Sequence, residues 1–294
     1  MTPGCRGREL SARSDALQGM LACCELCPHR CGVDRLSGET GRCRTGRDAQ
    51  VASWGPHPGE EAILSGTRGS GTIFFSGCNM HCCFCQNHDI SQRACGRIVS
   101  ARQLADIMLE LQHIGCHNIN LVSPTHVVPQ IVAALVLAAP ELRIPLVYNS
   151  GGYDRVDVLR MLDGVVDIYM PDMKYSDAEM GARYSGVADY PDWNQKAVQE
   201  MHRQVGNLRI ADGVAVQGLL VRHLVLPHDL AGTAGVLGFV ARALSEETYV
   251  NIMAQYRPAY RAHAHAELSR SINAAEFRAA VGIARRLGLT RLDR

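Results

Sequence analysis

Between residues 71 and 253 the chain keeps returning to one pattern, a short unbroken apolar run rich in Val, Ile and Leu followed by a helical signal. The runs are Gly71–Ser76, Asn118–Ser123, Ile144–Asn149, Val165–Met170, Gly218–Leu226 and Tyr249–Met253. A strand with one wet face alternates apolar and polar residues, whereas a run that is apolar throughout is covered on both faces, as in a parallel sheet. The stretches between carry helix boundaries. Ser100 and Gln103 form a capping box ahead of the stripe Leu104, Ile107, Met108, Leu111 and Ile114, which Gly115 stops. Asn273 and Glu276 open a last helix with Phe277, Ala280, Val281, Ala284 and Leu287 on one side, ending near Gly288. Strand–helix units with right-handed crossovers predict a parallel α/β sheet, doubly wound or curled into an incomplete barrel. With six units instead of eight, a six-stranded partial (β/α)6 barrel is the expected form.

Two segments fall outside this repeat. Residues 1–20 read as a mobile arm and 21–50 as a small Cys-rich module with too few apolar residues for its own core. The expected division is 1–50 for arm and module and 51–294 for the barrel. A formal net charge of +1 gives no field to attract nucleic acid or an acidic membrane surface. No apolar run has the length of a signal peptide or of a spanning helix, so a cytoplasmic protein without membrane contact is expected.

Twelve cysteines then need a reason, because disulfides are rare in a reducing compartment. Six precede residue 44, five lie from Cys78 to Cys95, and none follows Cys116. A disulfide framework would spread along the chain it staples; two bunches indicate two local sites.

In parallel α/β folds the active site lies at the carboxyl ends of the strands. Those ends carry Gly77–Cys85, Ser123–His126, Asn149–Gly152, Pro171–Lys174, Pro227–Asp229 and Gln255–Pro258, all polar, Gly-rich or Pro-bent behind apolar strands. Cys78, Cys82 and Cys85, spaced x3 and x2 on one loop, suit three corners of a cubane iron–sulfur cluster and leave the fourth iron open, the mark of a catalytic rather than a closed centre. A structural zinc site would need a fourth ligand such as His81, His88 or Cys83, and zinc loops favour two C-x2-C knuckles where this loop has one.

The C-x3-C-x-aromatic-C pattern of Cys78, Cys82, Phe84 and Cys85 resembles the signature of the radical S-adenosylmethionine (SAM) superfamily, in particular its pyruvate formate-lyase activating enzyme-like branch. Further stretches carry the resemblance: Cys27–Arg35, Gly69–Cys78, Cys85–Asn87, Asn118–His126, Asp167–Lys174 and Arg222–Pro227. It implies a [4Fe–4S] cluster and SAM as cofactors, reductive cleavage to a 5′-deoxyadenosyl radical, and hydrogen abstraction from a substrate that the sequence does not identify. A glycyl-radical enzyme or a peptide is one expectation for that substrate. An external one-electron donor of flavodoxin or ferredoxin type is the implied partner. The resemblance places Phe84 beside the adenine, Asn149 at the methionine moiety or ribose, and Asp172 and Lys174 in a D-x-K motif. Arg222 stands as a cofactor contact or a structural pair. The chain departs from the family where activating enzymes carry Gly-Gly-Glu-Pro; it has Ser123-Pro124-Thr125-His126. Ser123 and Thr125 are therefore expected to accept from the cofactor's ammonium, with His126 as a rival proton donor or substrate contact.

The first bunch offers Cys24, Cys27, Cys31 and Cys43, with Cys23 as an alternative to Cys24 and Gly32 and Gly41 allowing tight turns, as ligands for a second metal, zinc or iron–sulfur. Cys5, Cys83, Cys95 and Cys116 read as buried or free cysteines. Against the radical enzyme stand a non-enzymatic iron–sulfur electron carrier and a zinc-stabilised binding module; the polar rim favours an enzyme.

Overall fold

The computed structural model describes residues 3–93 and 95–293, with side chains from residue 9 onward, so the Cys5 side chain lies outside the described residues. The strands are β1 (Ala49–His57), β2 (Ser70–Phe75), β3 (Arg97–Val99), β4 (Ile119–Val122), β5 (Leu146–Ser150), β6 (Ile168–Pro171), β7 (Arg209–Ala211), β8 (Val214–Leu224) and β9 (Tyr249–Met253). The helices are α1 (Pro3–Gly19), α2 (Ala62–Ser65), α3 (His88–Ser91), α4 (Ala101–Ile114), α5 (Val128–Ala138), α6 (Val156–Arg160), α7 (Ala178–Ser185), α8 (Tyr190–Val205), α9 (Thr233–Phe239) and α10 (Ala274–Arg286). All belong to an α/β fold around one mostly parallel sheet.

The apolar runs at the head of the sequence are β2, β4, β5, β6, β8 and β9, and each pairs in parallel with the next. Both faces of these strands are largely buried. In β6, Tyr169 joins the large core under the helices with Leu104, Met108 and Leu111, while Ile168 and Met170 turn inward to Val147, Leu220 and Leu64. Alternation at period two therefore buries both sets, which is why the sequence shows no polar face. The capping boxes at Ser100/Gln103 and Asn273/Glu276 are both formed, and Gly115 ends α4 at φ 97°. The stripe on α4 is one residue shorter than expected: Ile114 is 53% exposed beside the helix terminus.

Three strands were not legible as apolar runs. β1 pairs antiparallel with β2 and β3, and β7 pairs antiparallel with the first half of β8. β1 contains Gly55 and Pro56, and all three residues of β7 are exposed. Residues expected as a mobile arm contain α1, which lies on α5. Gln18 donates to the Pro129 carbonyl at 3.0 Å, Arg13 to the Asp163 carbonyl at 2.6 Å, and Leu17, Leu21 and Leu26 enter the main core.

Candidate active site

β2 delivers the chain into the Cys78–Cys85 loop through Gly77, whose φ of 82° and whose neighbours both require glycine: a Cβ there would lie 2.6 Å from the Cys43 carbonyl. The loop is pinned at several points. Asn79 donates to the Tyr153 carbonyl at 2.7 Å, the Cys83 N–H to Tyr184 at 2.7 Å, and Arg261 N–H to Cys83 at 2.8 Å. Each of the three predicted ligand sulfurs has its own polar partner. The Met80 N–H donates to Cys78 Sγ at 3.3 Å, the Ser185 hydroxyl to Cys82 Sγ at 3.0 Å, and Cys85 Sγ shares a hydrogen bond with Ser91 Oγ at 3.2 Å.

Burial pushes the Cys78 and Cys82 thiols up, and their proximity to each other and to Cys85 adds to it at Cys78, while the Lys174 ammonium opposes it at both. Three thiols, each met by a hydrogen bond and two of them facing a fixed cation, are a donor set that fits an anionic, thiolate-ligated cluster. Of the candidates for a fourth, zinc-closing ligand, His81 is hydrogen-bonded elsewhere, whereas His88 keeps a buried Nδ1 without a hydrogen-bond partner. His81 Nε2 donates to the Arg42 carbonyl at 3.0 Å, and His88 stacks on Tyr260 at 5.0 Å. Among the described residues no three His, Cys, Asp or Glu side chains surround a single-ion position.

The inward faces also carry polar side chains. Asn120 of β4 lies level with Val147 and Asn149 of β5 with Met170, while Asp172 after β6, Arg222 of β8 and Asn251 of β9 lie level with one another further along the strands. Asp172 accepts from Lys174 Nζ at 2.5 Å and from Arg222 Nε at 2.9 Å, and Arg222 Nη2 donates to Asn149 Oδ1 at 2.6 Å. Burial alone would raise the Asp172 carboxyl, but Arg222 and Lys174 hold it below the usual carboxylate range. Burial likewise works against the Lys174 charge, yet Asp172 and Cys82 push it up to about 12. Both groups are therefore ionised at neutral pH, with Lys174 fixed beside the cysteine loop. Both side-chain atoms of Asn120 are buried without a partner.

Phe84 is packed edge-on against Tyr256 at 5.8 Å and Tyr175 at 6.5 Å and is 6% exposed. Ser123 sits at the end of β4 with φ 59°, a left-handed conformation costly to a residue with a Cβ. Thr125 is buried and donates its hydroxyl to Asp154 at 2.7 Å; Tyr148 and Ser150 donate to the same carboxylate, each at 2.8 Å. His126 is drawn away from the role of rim proton donor: it is 2% exposed, donates Nε2–H to the Ser76 carbonyl at 2.8 Å, and burial lowers it to about 4. Asp154, Ser185 and Ser91 are not singled out by the sequence, nor is Glu60, whose carboxylate lies 4.0 Å from Arg222 Nη1. Asp154 follows the Gly151-Gly152 strand end and was the most accessible of them; the two serines come from helices whose packing no local pattern reveals.

Cys24 and Cys43 are buried, Cys27 is half-buried, and Cys31, Cys23 and Cys95 are exposed, while Cys116 is buried in the main core. The Cys83 thiol is pushed up to about 11 by burial and by Cys82.

A mostly parallel α/β sheet with three cysteines on the first loop at its carboxyl edge is the layout of a radical SAM protein, and residues 72–213 match the radical SAM superfamily. Over 276 residues the chain is 33% identical to the uncharacterized protein MJ0674 of Methanocaldococcus jannaschii, covering 90% of this chain and 75% of that one. The chain belongs to the radical SAM superfamily and is a radical SAM enzyme; membership implies a [4Fe–4S] cluster and SAM. Similar solved structures include a radical SAM methyltransferase from Sphaerobacter thermophilus, at 13% identity and TM-score 0.49, covering 74% of this chain and 64% of that one. Another is the FeFe-hydrogenase maturase HydG from Carboxydothermus hydrogenoformans, at 14% identity and TM-score 0.47, covering 73% and 50%. The chain thus spans less than two-thirds of either structure. No described helix is long and apolar enough to cross a membrane.

Proposed function

We propose that this chain holds a [4Fe–4S] cluster through Cys78, Cys82 and Cys85 and cleaves SAM there to generate a 5′-deoxyadenosyl radical for hydrogen abstraction. The observation that carries the proposal is the loop itself: three thiols with one hydrogen-bond partner each, two of them, Cys78 and Cys82, facing the Lys174 ammonium. When bound, the cluster supplies the electron that breaks the sulfur–C5′ bond. The chain's own residues bind and orient. Lys174, with one N–H spent on Asp172, keeps donors for the carboxylate of the methionine moiety, and Asp172 holds it charged. Thr125 donates its hydroxyl hydrogen bond to Asp154, so its oxygen lone pairs remain to accept from the cofactor's ammonium together with Ser123. Asn149 presents its amide N–H groups, since its oxygen is taken by Arg222. Phe84 and the tyrosines around it form the dry wall beside the adenine and exclude water from the radical.

We read the six parallel strands as a partial (β/α)6 barrel whose polar end admits the substrate. The reading nearest to the resemblance is activating enzyme-like chemistry on a glycyl-radical enzyme or a peptide, with electrons from a flavodoxin- or ferredoxin-type donor in the cytoplasm. Anaerobic reconstitution with iron and sulfide, reduction, and assay for 5′-deoxyadenosine test the proposal. Product together with an EPR signal that shifts on adding SAM is the expected result. A reconstituted cluster that yields no product under strong reductant would refute it.

A further inference from the structure

The buried guanidinium of Arg35 points to a second centre. Arg35 is 0% exposed, yet no carboxylate among the described residues pairs with it. Its Nε donates to the Gly46 carbonyl at 2.8 Å and its Nη1 to the His126 carbonyl at 2.9 Å, while Nη2 has no partner. Carbonyl dipoles satisfy hydrogen bonds but do not cancel a full charge out of water. Thiols able to become anionic lie beside it: Cys24 Sγ accepts from Nη1 at 3.8 Å, and Cys43 feels the same guanidinium.

Those thiols are not isolated. Cys24, Cys31 and Cys43 all lie close enough to Cys27 to interact with it electrostatically, and the His29 N–H is directed at the Cys27 sulfur. The backbone closes the segment, with Cys24 N–H donating to Val33 at 2.9 Å and Gly32 N–H to Cys24 at 3.0 Å. Gly41 leaves the space that Cys31 occupies, since a Cβ there would meet Cys31 Sγ at 2.7 Å.

We propose that Cys24, Cys27, Cys31 and Cys43 bind a thiolate-ligated metal centre, a zinc ion or an iron–sulfur cluster, whose negative charge is the counter-ion of Arg35. Each thiol gives its proton to solvent as the metal binds, and the net charge left on the tetrathiolate centre is what the guanidinium neutralises. The four sulfurs do not surround a single-ion position and Cys31 is exposed, so a shared metal requires Cys31 to turn inward. The centre abuts the first site. His29 Nε2 donates to the Asn79 carbonyl at 2.8 Å, and the Cys43 carbonyl packs on Gly77, so the metal braces the loop that carries Cys78.

The test uses the full chain with Cys78, Cys82 and Cys85 all replaced by Ala, so its outcome is independent of SAM cleavage. After anaerobic loading with zinc, or with ferrous iron and sulfide, and then desalting, this variant should retain a stoichiometric metal load. Zinc leaves it colourless; a cluster gives visible absorbance. Arg35→Met in that background should weaken metal retention by about 10- to 100-fold, with Arg35→Lys recovering part of the loss. Alkylation of the unmutated, metal-loaded protein gives a second readout that does not depend on any variant folding. Cys23 and Cys95, both exposed, should react, Cys31 should be shielded, and chelation should expose it. No retained metal of either kind, or Cys31 alkylated as fast as Cys23 in loaded protein, would overturn the proposal.

Discussion

The two cysteine bunches are both loops rich in thiols, but their surroundings differ in the source of positive charge. Around Cys78–Cys85 the cation is Lys174, which already has Asp172 as a partner and so can be shared with an arriving ligand. Around Cys24–Cys43 the cation is Arg35, enclosed and without an acid. A paired cation at the rim of a sheet suits a site that binds and releases. An unpaired one inside the protein suits a charge that never leaves. The same residue type thus reads as chemistry in one place and as permanent structure in the other.

The largest expected effect separates ligands from bystanders within the first bunch. Cys82→Ala, Cys78→Ala or Cys85→Ala should abolish 5′-deoxyadenosine formation and remove the iron of that loop, while Cys83→Ala should keep both. Full activity in any of the first three, read by chromatography of the reaction products, would end the assignment.

Next in size is a pH effect at His126, which joins the two bunches by taking Arg35 on its carbonyl and Ser76 on its ring. Its folded value of about 4 lies below the ordinary 6.5, mainly through burial, so the fold accommodates the neutral ring. The associated stability is complete above pH 6.5 and is lost as pH falls towards 4, amounting to ~3 kcal/mol. Urea midpoints at neutral and acid pH should therefore converge in His126→Asn relative to the parent. An unchanged acid slope would mean the ring is not held neutral.

At the rim, the Ser123→Ala, Thr125→Ala double variant should weaken SAM binding by about one to two powers of ten with the cluster intact, from two lost neutral hydrogen bonds of roughly 0.5–1.5 kcal/mol each. Calorimetric titration of SAM into the reconstituted variant checks it; unchanged affinity would assign the ammonium to another partner.

The smallest effect tests the hydrogen bonds to sulfur. Ser185→Ala removes the donor to Cys82 Sγ. With ~1 kcal/mol lost preferentially from the reduced state, the cluster potential should fall by roughly 40 mV. A redox titration followed by EPR measures it, and a potential that does not move would show that Ser185 serves packing alone.

Much of the fold was open in the linear chain because two-sided burial leaves a continuous apolar run, and β9 matches its run from Tyr249 to Met253. β7, exposed along its length, left no such trace, and it exists because the first half of β8 offers it an edge. The cysteine ligand candidates were equally legible, since their spacing is local. Lys174 and Asp172 were legible as a motif; that Asp172 is shared with Arg222, fifty residues away in sequence, was not.

By itself the sequence determined the six apolar strands, both capping boxes and the two thiol bunches, because each is written in residues close together along the chain. Tertiary structure alone decided which charges meet. Arg35 is an ordinary basic residue until folding encloses it beside Cys24, and His126 is a plausible rim base until Ser76 and burial hold it neutral. The reason is physical: backbone pattern is set by local sterics and hydrogen bonding, whereas the cost of a charge depends on how much water the rest of the chain removes from around it.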